Sequence, residues 1–450
     1  MRLLFISANT CTDPYPVYPL ALSYLSAALK NRFPQIELDY YDVNLDKDRD
    51  LRDVLKEKDP DYVGLSLRNV DNVNIYKTEN YIYEYRELVK LVKGVTDAKV
   101  IVGGAGFSIY PKKLFKFLGA DFGNSGEGEN TLGELIDALE NGQDHSDIEG
   151  LVYLKDGKVV ENSRKMRFTG IDFQMDERLA DFYWKTSGMM NVQTKRGCPF
   201  KCIYCSYPVI EGTDVRTLDP EKVVSTIKNS VENGRDYFFF TDSVFNISPE
   251  YNRKFAQMII DSGIKMKWGA YFRPQGTSYE DLELFKKSGL THIEFGTESL
   301  CDPVLESYGK FFKFKEIAQA TQMCHDLKIY NAHFLILGGH GETNETIAQT
   351  FANSSKLPWT VFFPFVGMRI YPKTRLKEIA ISEGVIKAND TLMDPVYYTA
   401  KNVNLESEHL KALAAKTGKR WVFPDEDNSK ILTKMKKRGR KGPLWEFLVG

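Results

Sequence analysis

The sequence predicts an α/β protein in which a doubly wound parallel sheet is followed by a partial six-stranded barrel. Short β-rich runs alternate with helical patterns twice, up to about residue 145 and again from 192 to 384, and such alternation is typical of parallel sheets. The length of 450 residues also allows two or three domains. We therefore predict a Rossmann-like domain over 1–145, a linker with a hairpin over 146–191, a partial barrel over 192–384, and a small, mainly helical region with a basic tail over 385–450.

Five apolar strands and the helices between them define the first domain. The strand runs are LLFIS, IELDYY, YVGLS, KVIVGG and ADFGNS, and the helical patterns cover residues 20–30, 51–58, 81–95 and 131–139. Parallel sheets of this kind bind ligands at the carboxyl ends of their strands, so we expect a nucleotide-like ligand there. The next segment, LVYLKDGKVVEN, predicts a hairpin that turns at Asp156 and Gly157.

Six further strand runs define the barrel. They are NVQTKR, YFFFTD, MKWGAYFRP, HIEFGTES, NAHFLILGG and TVFFPFVGMRIY, and helical segments separate them. By analogy with complete barrels, the site is expected at the carboxyl ends of these strands.

Charge and cysteine content exclude several classes of protein. The 60 basic and 61 acidic residues give a net charge of -1, which offers no general attraction to nucleic acid or to an anionic membrane. Six cysteines are too few for a disulfide scaffold, and the start of the chain shows no cleavable signal pattern. No apolar stretch approaches the roughly 20 residues that span a bilayer. We expect a cytoplasmic protein without a transmembrane segment.

Three cysteines, Cys198, Cys202 and Cys205, lie close together in TKRGCPFKCIYCSYP. A zinc site would need a fourth ligand, and the nearest later candidates are His292 and Cys301. A disulfide would leave one thiol over. Three thiolates instead suit a four-iron cluster with three protein ligands, in which one iron stays open to a substrate or cofactor.

The cysteine spacing, with an aromatic residue before the third cysteine and a strand before the first, resembles the radical S-adenosylmethionine superfamily. The segments FFTD, FRP, FGTES and LILGGHGET are similar to later motifs of that family, and the resemblance covers residues 192–384. It implies that the three cysteines bind a 4Fe-4S cluster. It also implies a set of contacts to S-adenosylmethionine, which are Tyr204 near the adenine, Glu298 at the ribose, Gly338, Gly339 and Glu342 beside the adenine, and Thr241, Asp242 and Arg273 around the methionine end.

Several of these positions have simpler alternatives. Glu298 is either a ligand at the barrel mouth or a surface carboxylate, and its place after an apolar strand favours the barrel mouth. Asp242 and Arg273 have the alternative of pairing with each other across adjacent strand ends. His340 stands where the family usually has proline, so it either acts in catalysis, by touching substrate or relaying a proton, or is a tolerated loop residue.

The first domain resembles the cobalamin-binding domain joined to many radical S-adenosylmethionine enzymes. The resemblance rests on DPYPVYPLALSYLSAAL, DPDYVGLSLRN, VIVGGAGFSIYPKKL and SGEGENTLGEL, whose glycines allow close approach of the backbone to a ligand. It implies a set of cobalamin contacts, namely Ser66, Arg68, Asn69, Gly103, Gly104, Gly106, Ser125, Gly126 and Glu127.

The axial ligand of cobalt is a further expectation from this resemblance. Methyl-carrier cobalamin proteins bind cobalt through a histidine in a D-x-H-x-x-G motif, whereas the first histidine here is His145, beyond the binding strands. Cobalt is therefore expected to lack a histidine ligand. Arg68 or Asn69 would cover its lower face, with an exposed loop cation as the alternative role for Arg68.

Together the two resemblances imply a cobalamin-dependent enzyme that cleaves S-adenosylmethionine to a 5'-deoxyadenosyl radical and methylates an unactivated carbon. The expected substrate is a small molecule or a lipid, free or bound to a carrier. The segment ISANTCTDPYPVYPL resembles members associated with lipid biosynthesis, which implies the lipid subgroup. A low-potential flavodoxin or ferredoxin is the expected electron donor, and oxygen must be excluded. The alternatives are a cyclisation or carbon-skeleton rearrangement with the same cofactors, and a cobalamin-independent radical enzyme.

The basic run at residues 434–441 has six lysines or arginines in eight positions. Such a run is usually a solvated terminus. The alternative is a surface that receives an acidic carrier protein or a phosphate-bearing substrate.

Overall fold

The computed structural model describes residues 1–12, 15–165 and 173–449. These form two compact units, the first made of residues 1–72, 79–186 and 206–212 and the second of residues 73–78, 187–205 and 213–450. Asp13 and Pro14 of the first cobalamin-like segment, and residues 166–172 of the predicted linker, lie outside the described residues. The boundaries at 145, 191 and 384 stay predictions.

One sheet organises the first unit. Its strands are β1 (Arg2–Ser7), β2 (Glu37–Asp42), β3 (Tyr62–Ser66), β4 (Lys99–Gly103), β5 (Phe122–Asn124), β6 (Leu151–Lys155) and β7 (Lys158–Glu161). The helices are α1 (Leu20–Arg32), α2 (Leu51–Lys58), α3 (Ile82–Val95), α4 (Ala105–Ile109), α5 (Pro111–Leu118), α6 (Thr131–Glu140), α7 (Glu177–Ser187) and α8 (Tyr207–Glu211).

The strand order is β2-β1-β3-β4-β5-β6-β7, and β1 to β5 run parallel. The four central residues of β1, Leu3 to Ile6, are all buried, as expected for a parallel strand with helices on both faces of its sheet. This confirms the predicted doubly wound sheet. The order places β1 beside β3, the point at which such sheets bind ligands.

The predicted hairpin is present as β6 and β7. Asp156 and Gly157 have φ of +50° and +74°, the left-handed backbone that a two-residue hairpin turn needs. Because β6 pairs antiparallel with β5, the hairpin extends the sheet of the first unit instead of standing apart in a linker.

The second unit contains a seven-stranded parallel sheet, a partial barrel as predicted. Its strands, in the order β18-β15-β14-β13-β12-β11-β8, are β8 (Met190–Val192), β11 (Tyr237–Phe240), β12 (Lys267–Phe272), β13 (Leu290–Glu298), β14 (Tyr330–Leu337), β15 (Thr360–Val366) and β18 (Arg420–Trp421). Two short antiparallel pairs accompany it, β9 (Lys195–Arg196) with β10 (Arg216–Thr217) and β16 (Met368–Arg369) with β17 (Tyr397–Tyr398).

The helices of this unit follow the strands. They are α9 (Pro220–Glu232), α10 (Pro249–Asp261), α11 (Tyr279–Lys287), α12 (Asp302–Ser307), α13 (Phe314–Asp326), α14 (Asn344–Ser354), α15 (Arg375–Ser382), α16 (Ser407–Ala415) and α17 (Ser429–Lys437). The sequence does not predict β18, because its two residues are too few to show a period. Tertiary packing holds these two residues in the sheet, because the centre of the Trp421 ring lies 4.4 Å from that of Phe351 and 4.6 Å from that of Phe362.

A buried polar cluster joins β13 to the 3₁₀ helix Trp445–Leu448. The Trp445 indole donates to the Glu294 carboxylate at 3.0 Å, and the Tyr237 hydroxyl lies 3.0 Å from His292 Nδ1. Burial raises the pKa of Glu294 to about 7 and lowers the pKa of His292 to about 3. His292 is therefore neutral near neutral pH, whereas Glu294 changes its charge in that range.

We expect Glu294→Gln to reduce the loss of stability that accompanies rising pH. The folded pKa of Glu294 lies above its ordinary value of 4.5, so its contribution is fully present below that value and is lost as the pH rises through about 7. Glutamine is neutral throughout. Between about pH 5 and about pH 8, the free energy of unfolding of the natural protein should fall by about 1–3 kcal/mol more than that of the variant. Urea denaturation at each pH measures this difference. A difference that does not change with pH, or the same result for the exposed Glu87→Gln, would contradict this.

Candidate active site

The three clustered cysteines lie on the loop that follows β9. Cys198 is buried, Cys202 and Cys205 are half-buried, and none forms a disulfide. Gly197 precedes them with φ of +93°, and a Cβ at this position would lie only 2.0 Å from the Asp214 carbonyl oxygen. Glycine is therefore required where the chain enters the cysteine loop.

The three thiols of the cysteine loop suit an iron–sulfur cluster better than they suit a single metal ion. Within the described parts of the chain, no three Cys, His, Asp or Glu side chains converge as the ligands of one metal ion would. Three thiols on one loop suit a four-iron cluster, which spreads its ligands farther apart than a single ion does. The middle of the loop is anchored at both sides of Ile203, whose amide donates to the Tyr308 carbonyl at 3.1 Å and whose carbonyl accepts from the Leu376 amide at 2.8 Å.

A buried ion pair supports the segment that leads into this loop. Lys195 Nζ lies 2.8 Å from Asp242 Oδ2, and the two side chains are 1% and 0% exposed. Asp242 Oδ1 also accepts from the amides of Thr194 at 2.7 Å and Lys195 at 3.1 Å. The alternative in which Asp242 pairs with Arg273 is wrong, because Lys195 and Thr194 occupy the carboxylate. Contact of Asp242 with S-adenosylmethionine stays a prediction, and these bonds favour a role in positioning.

Thr241 and Arg273 follow the neighbouring strands β11 and β12. The Thr241 hydroxyl donates to the Val192 carbonyl at 3.3 Å. The Arg273 guanidinium stacks 3.6 Å from the centre of the Phe200 ring, inside the cysteine loop. Asn246 holds the Arg273 backbone on both sides, accepting from its amide at 2.9 Å and donating to its carbonyl at 3.0 Å.

Glu298 ends β13 in an unusual conformation. Its φ is +67°, and the register with β14 shifts between Gly296 and Glu298, which turns the side chain out of the regular strand alternation. Left-handed backbone at a non-glycine residue is costly and collects at functional sites. Glu298 Oε1 accepts from the Tyr204 hydroxyl at 2.8 Å and from Lys310 Nζ at 3.3 Å. The side chain is 13% exposed, which excludes a surface carboxylate.

The loop after β14 folds tightly around its glycines. A Cβ at Gly339 would lie 2.2 Å from the Tyr308 hydroxyl, and one at Gly338 would lie 2.5 Å from Leu405. Glu342 is buried and accepts the backbone N–H groups of Gly338 and Gly339. Burial raises its pKa to about 7. One carboxylate oxygen thus closes the loop, while Oε1 is buried without a hydrogen bond from any described residue.

His340 projects from the same loop and is about one third exposed. Its Nδ1 lies 2.7 Å from the Ser307 hydroxyl, and its Nε2 lies 3.5 Å from Glu383. The imidazole therefore joins the β14 loop to α12 and to the end of α15. A catalytic role stays a prediction.

The predicted cobalamin contacts of β3 and β4 lie together at the carboxyl edge of the first sheet. Ser66 and Gly103 end their strands, and the Leu67 amide donates to the Gly103 carbonyl at 2.8 Å. Gly104 has φ of +102°, and a Cβ there would lie 2.6 Å from the Leu67 carbonyl oxygen. A Cβ at Gly106 would lie 2.3 Å from the Leu67 side chain. The glycines are thus needed to pack the two loops on each other.

Arg68 is exposed and Asn69 is half-buried on this edge. His145 packs against Phe122, the first residue of β5, with ring centres 5.3 Å apart. Because β5 runs parallel to β3 and β4, His145 lies at the opposite edge from the predicted binding loops.

The remaining predicted contacts form the turn after β5. Ser125 is buried, and the Gly126 amide donates to the Ser108 hydroxyl at 2.8 Å. Arg164 approaches the turn, with Nη1 3.4 Å from the Ser125 hydroxyl. A cavity of about 220 Å³ adjoins the turn and is lined by several carboxylates, which are Glu127, Glu129, Glu134, Asp147 and Glu149. Arg164 and Lys165 also line this cavity, so its lining carries charges of both signs.

Sequence reasoning missed several side chains that build the site. Lys195, Asn246, Tyr308 and Lys310 belong to no motif, and their contacts join residues distant in sequence. A weak signal existed only for Lys195, which immediately precedes the cysteine loop.

Two family models match the chain. The radical SAM superfamily model covers residues 192–352, and the B12 binding domain model covers residues 6–136. An uncharacterized methyltransferase of Pyrococcus horikoshii is 26% identical over 402 residues, which are 86% of this chain and 85% of that protein. The anaerobic magnesium-protoporphyrin IX monomethyl ester cyclase of Rubrivivax gelatinosus is 26% identical over 390 residues, 81% of this chain and 68% of that protein.

A solved structure shares the fold over almost the whole chain. It is the radical S-adenosylmethionine methyltransferase TsrM from Kitasatospora setae with cobalamin and a [4Fe-4S] cluster bound, at 22% identity. The TM-score is 0.87, and the match covers 99% of this chain and 97% of TsrM. The described helices include none long and apolar enough to cross a membrane. By the two family models, the chain joins a B12-binding domain to a radical SAM domain.

Proposed function

We propose that the protein is a cobalamin-dependent methyltransferase that uses a 4Fe-4S cluster and S-adenosylmethionine to methylate an unactivated carbon. The observation that carries this proposal is the presence, in one chain, of a three-cysteine loop at the start of a partial barrel and of a B12-binding domain. The Pyrococcus relative and the Kitasatospora structure, both named as methyltransferases, support methyl transfer over other outcomes.

The chain supplies ligands, orientation and exclusion of water, while the bound cofactors supply the electron and methyl-group chemistry. Cys198, Cys202 and Cys205 hold the cluster. Glu298 is preset by Tyr204 and Lys310 to accept the hydroxyls of a ribose, because both donors bond to Oε1 and no described residue donates to Oε2.

A second set of residues is proposed to contact the adenine and the methionine end of S-adenosylmethionine. The Gly338 to Glu342 loop borders the adenine, with Thr241 and Arg273 toward the methionine end. In this proposal His340 touches the substrate or relays a proton, and contacts with Ser307 at 2.7 Å and Glu383 at 3.5 Å orient its ring.

The lower face of cobalamin is assigned to the loop after β3. Arg68 is exposed at the sheet edge and Asn69 is half-buried, whereas His145 lies at the opposite edge. Cobalamin held there would supply the methyl group, and without a histidine donor from the protein its cobalt would be easier to reduce.

The substrate is a small molecule or a lipid, free or bound to a carrier, and the electron donor is a low-potential flavodoxin or ferredoxin. Flavodoxin and ferredoxin are soluble one-electron carriers of the cytoplasm. In this proposal the protein is also cytoplasmic, and it is sensitive to oxygen. The exposed basic helix α17 is the surface for an acidic carrier in this proposal.

A second candidate is ring closure without methyl transfer, favoured by the similarity to the Rubrivivax cyclase. Product mass separates the two. The anaerobic, iron-reconstituted protein with cobalamin is incubated with a reductant, candidate substrates and S-adenosylmethionine bearing a deuterated methyl group. A product that carries the labelled methyl supports methyl transfer, whereas a product that has only lost hydrogen supports the cyclase. Loss of cobalamin from the natural protein on washing would contradict both.

The axial assignment predicts a spectroscopic result. Retained cobalamin should show, in its cobalt(II) electron paramagnetic resonance spectrum, no splitting from a protein nitrogen. Arg68→His places an imidazole at the lower face and should introduce that splitting. An unchanged spectrum in Arg68→His, with splitting in Asn69→His, would move the assignment to Asn69. The control Arg2→His lies at the first residue of β1, which runs parallel to β3, and so at the opposite edge of the sheet; it should leave the spectrum unchanged.

A further inference from the structure

Two cations lie over aromatic rings of the cysteine loop. Arg273 Cζ is 3.6 Å from the centre of the Phe200 ring, and Lys310 Nζ is 5.6 Å from the centre of the Tyr204 ring. Phe200 stands between the first and second cysteines in sequence, and Tyr204 between the second and third. One cation therefore adjoins each half of the loop.

A third ring links the two cations. Phe312 is 2% exposed, and its ring centre lies 5.7 Å from Arg273 Cζ and 5.9 Å from Lys310 Nζ. We call Phe200, Arg273, Phe312, Lys310 and Tyr204 the cation belt. Aromatic faces stabilise cations that have lost part of their hydration, so the belt keeps two positive charges beside the cysteine loop.

Both cations are held in place. The Lys310 side chain is 9% exposed, and its Nζ bonds to Glu298 at 3.3 Å and to the Gly296 carbonyl at 3.2 Å. Asn246 holds the Arg273 backbone, and the guanidinium stacks on Phe200 and donates from Nη2 to Gln275 Oε1 at 3.4 Å. Because these charges are already in position, they do not have to move when a nearby charge changes. Their full electrostatic attraction therefore acts on an electron that arrives at the loop.

We propose that Arg273 and Lys310 raise the reduction potential of the cluster held by the three cysteines. The inference rests on the proposed function and deepens it. One electron passes from the flavodoxin or ferredoxin to the cluster, whose net negative charge grows by one, and no bond or proton changes. Net charge and surroundings set the potential of such clusters. Two positive charges favour the reduced form, and removal of Lys310 would also leave the Glu298 carboxylate uncompensated.

The test is a potentiometric titration of the reconstituted protein without S-adenosylmethionine, monitored by the electron paramagnetic resonance signal of the reduced cluster. We expect Lys310→Met and Arg273→Met each to shift the reduction equilibrium about tenfold toward the oxidised form, which is about 59 mV for one electron. Lys310→Arg and Arg273→Lys keep the charge and should stay near the natural potential. Lys201→Met removes an exposed cation from the same loop and serves as the matched control.

The outcomes separate this inference from the proposed function. Equal potentials in the natural protein and both methionine variants, at equal iron content, would overturn the inference and leave the function standing. Equal shifts in Lys310→Met and Lys310→Arg would also overturn it, because the shift would then follow shape and not charge. If the natural protein itself takes up no iron, the proposed function fails.

Discussion

Cys205→Ala is expected to remove the cluster from the protein and to reduce cleavage of S-adenosylmethionine to background. A four-iron cluster with an open iron already depends on only three protein ligands, so loss of one leaves no substitute donor on the loop. The two thiolates that remain, those of the half-buried Cys202 and the buried Cys198, are too few to hold the four-iron cluster. Iron and acid-labile sulfide content, together with release of 5'-deoxyadenosine, measure the effect.

Cys301→Ala is the matched control. Cys301 is a buried thiol at the start of α12, outside the cysteine loop. This variant should keep its iron and most of its activity, because a buried free cysteine acts mainly as a small apolar side chain. If Cys205→Ala kept the iron content of the natural protein, or Cys301→Ala lost it, the cysteine loop would not be the cluster site.

Lys195→Met is expected to destabilise the barrel by about 3–5 kcal/mol. The variant removes the cation that faces Asp242 while both side chains are almost fully buried, so a charge stays behind without its partner. Burial lowers the pKa of Lys195, and Asp242 opposes that shift, which marks the pair as mutually dependent. Urea denaturation of the full chain at neutral pH measures the loss.

Two further variants test the cause. Lys195→Met combined with Asp242→Asn removes both charges and should recover part of the lost stability. Lys90→Met breaks an exposed ion pair with Glu87 at 2.7 Å and should cost about 1 kcal/mol or less. A similar cost for Lys195→Met and Lys90→Met would contradict the role assigned to the buried pair.

Local patterns in the sequence were enough for the main elements of the fold. The predicted helix at 51–58 matches α2, and the turn at Asp156 and Gly157 has the left-handed backbone that it requires. These elements depend on residues close in sequence, through helical period and turn chemistry. The two residues of β18 could not be predicted in this way, because only the stacking of Trp421 on distant rings defines them.

The same distinction between local patterns and tertiary contacts applies to the residues of the candidate site. The sequence alone determined the three-cysteine loop, the glycine-rich turns of the first domain and the absence of a histidine before His145, since spacing and residue type carry that information. Only the tertiary structure decided that Asp242 pairs with Lys195 and not with Arg273, and that Lys310 reaches Glu298. Lys195 and Asp242 are 47 residues apart, and Lys310 and Glu298 are 12 residues apart on different elements. No local pattern in the chain specifies which of these charged side chains meet when the barrel folds.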